Sequence, residues 1–555
     1  MKYSKLALLV SAALLVSAGA YASDDNEADV SQIGTGNIAN VTQQLNSDNN
    51  DATISQEGAT NTASVTQADT SNTEAFVTQR GNVNEGHINQ HNTTQTATAT
   101  IDTDGNNNIA NIEQQFYNGD NASALVMQVG DSNNANIMQE NGDGANSTIY
   151  QYGEGDTAEI NNYVSDYSNA TITQHLGTGN NAYINQDASD SAVAEITQTG
   201  AGNDGDIYQK TLNFGEIGSD TTIAVLTQTN DGNRGYISQT ALASDATINQ
   251  NGNSNEAEVY QSDVNNTANV QQLGNEDDAF VYQTGQYGTV NVNQMGNTGS
   301  LATVNQGGVN NNAMIDQVGT SLTATVNQSD FDNLADVGQS NIDNTVTVSQ
   351  SGSASGSGNS ATVSQAGDGD SATIVQVGNL NNAIVEQDSG SYGNIITISQ
   401  TGYNNYAGAS TEVGDNSSIT VVQQGDNNSV GNLSGSANYY GANVGAGTFG
   451  SDNILTIDQI GNDNKAYADS SDISSVVDID QNGDTNTAVA ESWLGTDNDI
   501  MISQTGTLHN ADVFVNGAGG NMVSITQTDM HNTANVTSIG SGNTATIVQG
   551  TVLLP

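Results

Sequence analysis

Residues 32–43 read Gln-Ile-Gly-Thr-Gly-Asn-Ile-Ala-Asn-Val-Thr-Gln, and their skeleton is Q-x-G-x-x-N-x-A-x-V-x-Q. The skeleton returns at Gln56 with Asn61 and Gln67, at Gln128 with Asn133 and Gln139, at Gln250 with Asn255 and Gln261, and at Gln376 with Asn381 and Gln387. From Gln228 the glutamines fall at 239, 250, 261, 272, 283 and 294, six steps of 11. Near the C-terminus the step doubles, through Gln459, Gln481, Gln504, Gln527 and Gln549. A fixed period of this kind marks stacked repeats, and the doubling makes the unit a pair of steps, about 22–23 residues.

Within each step the period is two. Ala39, Val41 and Gln43 alternate with Asn40 and Thr42, and Ala52, Ile54 and Gln56 alternate with Thr53 and Ser55. One face is small and apolar with a glutamine, the other small and polar, which is the signature of a short strand with one buried face. Gly34, Gly36 and Asn37 supply residues that tolerate positive φ and close an arc between strands. An 11-residue period also suits a right-handed helical coil. The chemistry opposes it, because the apolar positions hold Val, Ile and Ala and every step is broken by Gly or Asn.

The expected fold is therefore all-β: a β-solenoid of stacked two-strand rungs, cross-β and amyloid-like. Neither strand of a rung buries its apolar face alone, so rungs must stack. Identical residues then lie about 4.8 Å apart along the axis, and about 23 to 24 rungs make a rod of roughly 110 Å. The inward amides form ladders. A slip of one residue would turn every Gln and Val outward, so the ladders fix register.

Composition narrows the function. Lys2, Lys5, the apolar run from Leu6 to Val16 and Ala20-Tyr21-Ala22 have the form of a signal peptide over residues 1–22. That run is shorter than the ~20 residues a membrane helix needs, and no later segment approaches that length. The expected product is secreted, with no membrane span after signal removal. Cysteine is absent, so no disulfide or thiolate site exists. The net charge is −55, with 61 acidic against 6 basic residues, which excludes nucleic acid as a partner. Low aromatic content and abundant polar residues would suit disorder, but a disordered chain has no reason to keep the period.

The expected organisation is an N-terminal repeat array over 23–403, a Gly/Ser/Tyr-rich irregular linker over 404–453, and a C-terminal array over 454–555. In the last array Ser470, Ser492 and Ser538 follow Gln459, Gln481 and Gln527 by eleven, so one ladder changes identity.

The skeleton resembles the curlin repeat of the curli fibre subunits, over most of residues 28–549. The resemblance implies secretion through an outer-membrane curli-type channel, nucleation machinery, and self-association or association with other curli-type subunits. It places the product outside the cell or on the surface (fimbrium) of a Gram-negative-type bacterium. It also implies that Gln32, Asn37, Gln43, Gln56, Asn61, Gln67, Gln128, Asn133, Gln139, Gln250, Asn255, Gln261, Gln376, Asn381 and Gln387 are the stacking amides of an amyloid spine. The expected function is a structural or adhesive subunit of a biofilm matrix, assembling by edge templating. The alternative is a monomeric acidic β-solenoid acting as an adhesin or ligand-binding module.

Other motifs fall away. Gly34 to Ala39, Gly177 to Ala182 and Gly540 to Ala545 satisfy the G-x-G-x-x-A dinucleotide fingerprint, but strands follow where it needs a helix. His87 and His91 stand four apart on a strand pattern without the glutamate of a zinc helix, and His175, His509 and His531 are expected in solvated arcs. No nucleophile, base and metal set converges, so no enzymatic activity is expected. No cofactor is expected. Weak calcium binding in arcs such as Asp48-Asn49-Asn50-Asp51 and Asp368-Gly369-Asp370 is the one metal chemistry the composition suggests.

Overall fold

The computed structural model describes residues 25–44, 46–92, 95–115, 121–210, 221–240, 242–296, 298–352, 357–431, 433 and 444–550. The expected signal segment, 1–22, lies outside them. All regular structure among the described residues is β. Successive strands alternate between two parallel sheets, so that Glu27–Thr35 pairs with Asp51–Ala59 in one and Ile38–Gln44 with Thr62–Ala68 in the other. The first sheet has 23 strands and the second 22. Ser429–Val430 and Ala446–Thr448 share a level, so both sheets have 22 levels, roughly 100 Å at the cross-β spacing. Both sheets are open, since Ile38–Gln44 pairs only with the strand above it and Thr544–Gln549 only with Met522–Met530 below it.

The alternation places the core. In Thr62–Ala68, Ala63, Val65 and Gln67 are buried while Thr62, Ser64 and Thr66 face outward. The same order repeats through nearly every strand, giving a seam of Ala and Val or Ile that runs through the whole stack. Register is residue for residue: Ala28 lies on Ala52, Val30 on Ile54 and Gln32 on Gln56. Each seam residue supplies only a few methyl groups, at about 0.8 kcal/mol per buried CH₂, so the core is stable only as a continuous stack.

The arcs stack as strictly as the strands. Gly34, Gly58 and Gly81 have φ of +124°, +125° and +105°. A Cβ on Gly58 would sit 1.8 Å from the Gly81 carbonyl oxygen, so this column of arcs closes only without side chains.

Insertions leave the stack intact. Gln198 donates to Gln228 and Gln209 to Gln239 across 30 residues, although 211–220 interrupt the period. Gln339 meets Gln365 and Gln350 meets Gln376 across the Ser351 to Gly358 insertion.

The 404–453 stretch differs from expectation. Tyr406–Asp415, Ser418–Gln424, Ser429–Val430 and Ala446–Thr448 are strands, and Ser418–Gln424 pairs directly with Ile454–Ile460. The stack therefore continues from one expected array into the other, with Ser429–Val430 and Ala446–Thr448 both paired to Tyr406–Asp415. The seam is kept here by Ala407, Ala409 and Thr411, which lie on Ala383, Val385 and Gln387. The period continues in small residues, where Gly, Ser and Tyr content suggests a loop.

Candidate functional site, the stacked amide ladders

Where a strand carries glutamine at its sixth position, the side chain points inward and stacks on the sixth residue of the next level. Gln32 Nε2 donates to Gln56 Oε1 at 2.7 Å and Gln56 to Gln79 at 2.8 Å. In the second sheet Gln43 donates to Gln67 at 2.9 Å and Gln67 to Gln90 at 3.0 Å. The other amide hydrogen crosses the seam: Gln56 Nε2 also reaches the Ile38 carbonyl at 3.0 Å, at the start of the facing strand. Each amide thus ties two levels and two sheets, and each bond contributes about 1 kcal/mol net.

The other glutamines of the recurring skeleton sit in the same two ladders. Gln128 donates to Gln151, Gln250 to Gln272, Gln261 to Gln283 and Gln376 to Gln400, at 2.8 to 3.0 Å. Gln139 accepts from Gln114, and Gln387 from Gln365.

Asparagine forms a third set of columns at the arcs. Asn37 Oδ1 accepts the Asn61 backbone N–H at 3.0 Å while Asn37 Nδ2 donates to the Gly58 carbonyl at 3.1 Å. Asn61 bonds Asn84 N and Gly81 O in the same way. Asn133, Asn255 and Asn381 donate to the carbonyls of Gly153, Gly274 and Gly402. One short amide therefore satisfies two backbone groups that the arc would otherwise leave buried and unpaired.

Substitutions in the ladders are equally informative. Thr103 lies between Gln79 and Gln128 and is too short to donate upward, which leaves Gln128 Oε1 buried without a partner. Asn162 similarly leaves Gln186 Oε1 unpaired. The gap below Asn162 is filled by Ser147, whose hydroxyl accepts from both Gln139 and Asn162 at 2.9 Å. Ser147 stands where the skeleton has alanine, and its only sequence signal is coincidence with the shortened amide fifteen residues on. Beyond Gln387 the first ladder continues as Thr411, Thr448, Ser470, Ser492, Val515 and Ser538, while the second keeps glutamine through Gln549.

Three aspartates replace asparagine in the arc columns. Asp156, Asp277 and Asp370 are fully buried or nearly so. Each accepts from the next level, Asp156 from Asn180 N, Asp277 from Ser300 N and Asp370 from Asn394 N. A carboxylate has no hydrogen for the neighbouring carbonyl, and Oδ2 of both Asp156 and Asp277 lacks a partner. Burial raises all three carboxyls above the ordinary aspartate range, Asp277 to about 6. Asp370, in one of the arcs expected to bind calcium weakly, points inward and also accepts from Ser391 Oγ. Asn50 of the other such arc is likewise inward, bonded to Thr70 and Thr73.

His509 also departs from expectation. It is buried in an arc column, with its backbone N–H on Asn486 Oδ1 and Nε2 3.2 Å from the Thr505 carbonyl, so it substitutes for asparagine. His87 pairs with Ser64 and His91 with Glu113, on outward positions of one strand with Asn89 between them. Gly34 to Ala39, with its dinucleotide-like spacing, is an arc between two strands.

Parallel two-strand rungs with in-register amide ladders define a repeat-built parallel β-solenoid. Residues 48–81, 298–329, 356–388, 392–425 and 495–528 match the curlin associated repeat. The chain therefore carries five stretches of the curlin associated repeat, which is the repeat of a structural protein family. No curated protein matches it.

Proposed function

We propose that this chain is a secreted subunit of curli-like extracellular fibres, which grows by stacking the first rung of one copy on the last rung of another. One observation carries this reading. Six seam residues are only partly buried, Val30, Ala39 and Val41 at one end and Val536, Ala545 and Ile547 at the other. They are unfinished ends of the core.

The two ends also match. Residues 533–541, Thr-Ala-Asn-Val-Thr-Ser-Ile-Gly-Ser, superpose in register on 27–35, Glu-Ala-Asp-Val-Ser-Gln-Ile-Gly-Thr. Residues 542–549 repeat 36–43 with Gly, Asn, Ala and Gln at the same places. The ladder has polarity, because each Gln–Gln bond donates from the N-terminal to the C-terminal level, as from Gln43 to Gln67 and from Gln527 to Gln549. Gln43 therefore presents Oε1 at the N-terminal face, and Gln549, which donates to Thr533 O at 2.8 Å, keeps a second hydrogen for it. Parallel strands at each face carry the backbone groups that template a further strand.

The −55 charge lies mainly on outward positions and repels approaching copies, so assembly in this reading needs salt. Calcium acts as a weak counter-ion to that surface. Chelating it at constant ionic strength then slows seeded growth, and an unchanged rate assigns the effect to salt alone. Export and nucleation machinery of the curli type would be the partners, and the matrix of a biofilm the setting.

The test uses end variants. Ile547→Asp and Val41→Asp place charge on opposite faces without touching interior rungs. Each should abolish elongation from wild-type seeds at its own face while circular dichroism keeps the β spectrum. Unaltered elongation by both variants would remove end stacking as the mode of growth.

A further inference from the structure

On the outer face of the second sheet, five tyrosines from five consecutive levels touch in sequence. The ring centroids of Tyr183 and Tyr208 are 5.3 Å apart, Tyr208 and Tyr236 5.5 Å, Tyr236 and Tyr260 5.1 Å, and Tyr260 and Tyr282 5.1 Å. The strand register explains the run. Tyr183 and Tyr236 occupy the third position of their strands and Tyr208, Tyr260 and Tyr282 the fifth, so the first four rings meet diagonally, tilted by 37° to 50°. Tyr260 lies directly on Tyr282, and their planes differ by 8°. All five rings are half-buried and reachable from solvent.

Carboxylates fill the alternate places. Asp206 lies in register between Tyr183 and Tyr236, and Glu258 between Tyr236 and Phe280. Glu258 lies two residues before Tyr260 on the same outward face and 3.8 Å from Arg234. Burial and these acids push the Tyr208 and Tyr260 phenols up to about 12, so both rings stay protonated at neutral pH. Loss of an electron from such a phenol releases its proton, and the neighbouring carboxylates Asp206 and Glu258 are acceptors already in place.

We propose that the Tyr183, Tyr208, Tyr236, Tyr260 and Tyr282 column is a site of oxidative tyrosine–tyrosine cross-linking that staples successive rungs covalently, with Tyr260–Tyr282 the preferred pair. The co-reactant is hydrogen peroxide acting through a haem peroxidase. Each of two neighbouring phenols loses one electron and one proton. The two radicals join through a carbon ortho to each hydroxyl, and the ortho hydrogens move to oxygen to restore the rings. Peroxide is reduced to two waters, and the product is two hydrogens lighter than the pair. In an in-register stack the partner ring is already in contact, so coupling within the chain outruns encounter between chains. A chain without cysteine gains by this route the cross-links that disulfides supply elsewhere.

The experiment oxidises the dilute full chain with peroxidase and hydrogen peroxide, then reads dityrosine fluorescence, monomer mass and cross-linked peptides by mass spectrometry. The expected product is monomeric, two hydrogens lighter per link, with Tyr260–Tyr282 the most abundant pair and the diagonal contacts next. Tyr282→Phe should delete that pair and leave Tyr236–Tyr260. The triple variant Tyr236→Phe, Tyr260→Phe, Tyr282→Phe, which follows the precedent of Phe280 in the same face, should lose most of the fluorescence with its β spectrum unchanged. Coupling in urea before refolding should scatter over other tyrosines. The proposal is overturned if the folded chain couples chiefly between molecules, chiefly at tyrosines outside the column, or equally well in the triple variant.

Discussion

Thr103 interrupts a ladder of glutamines and leaves the Oε1 of Gln128 without a donor in the core. Restoring the amide with Thr103→Gln should raise the free energy of unfolding, read from the urea midpoint, by about 1–2 kcal/mol for one regained bond and one relieved acceptor. Asp277 makes the complementary case. Its carboxyl titrates near 6 in the folded chain, against 3.8 ordinarily, because burial disfavours the charge. Its stabilising contribution is therefore full below about pH 4 and fades as pH rises through about 6. Asp156 and Asp370 are raised for the same first cause and act in the same direction. The chain should thus withstand more urea at pH 4 than at pH 7. Asp277→Asn, which restores the arc column's second donor, should narrow that difference and stabilise the neutral form by about 1–3 kcal/mol.

At the scale of the strand and arc, the glycine column is the tightest constraint. Gly58→Ala puts a Cβ into the Gly81 carbonyl at a φ of +125°, so the arc must open. Strain of about 1–3 kcal/mol at such a φ adds to the clash, and faster hydrogen exchange should appear in the two adjoining rungs before the rest of the stack. The strands themselves are readable from sequence because a two-residue period with Val, Ile and Gln inward has one solution, and stacking repeats that solution at every level. The skeleton amides are readable for the same reason, since any inward amide in such a stack meets its copy. What escapes the sequence is whatever depends on a neighbour one level away. Ser147 looks like a polar error in an apolar position until the short Asn162 beside it is seen. His509 looks solvated until its place in the asparagine column is known. Tyr406 to Asp415 looks irregular because Ala407, Ala409 and Thr411 keep the seam there with too little hydrophobicity to mark the period.

Across the whole molecule, an open stack with matched ends meets a surface of strong negative charge. Raising ionic strength from low to physiological should shorten the lag of assembly, because screening within about 8–10 Å weakens repulsion between rods without altering the ladders. Each interior level is already paired on both sides, so end-to-end assembly would use only the two end faces. A monomeric surface module would instead keep those faces covered. The most direct test is a thioflavin T time course on residues 23–555 in physiological salt, with and without sonicated fibres of the same chain, followed by fibre diffraction. Seeds should abolish most of the lag, and the product should give the meridional spacing of about 4.7–4.8 Å. A chain that stays monomeric with a full β spectrum, indifferent to seeds, would contradict end-to-end assembly and favour the surface module.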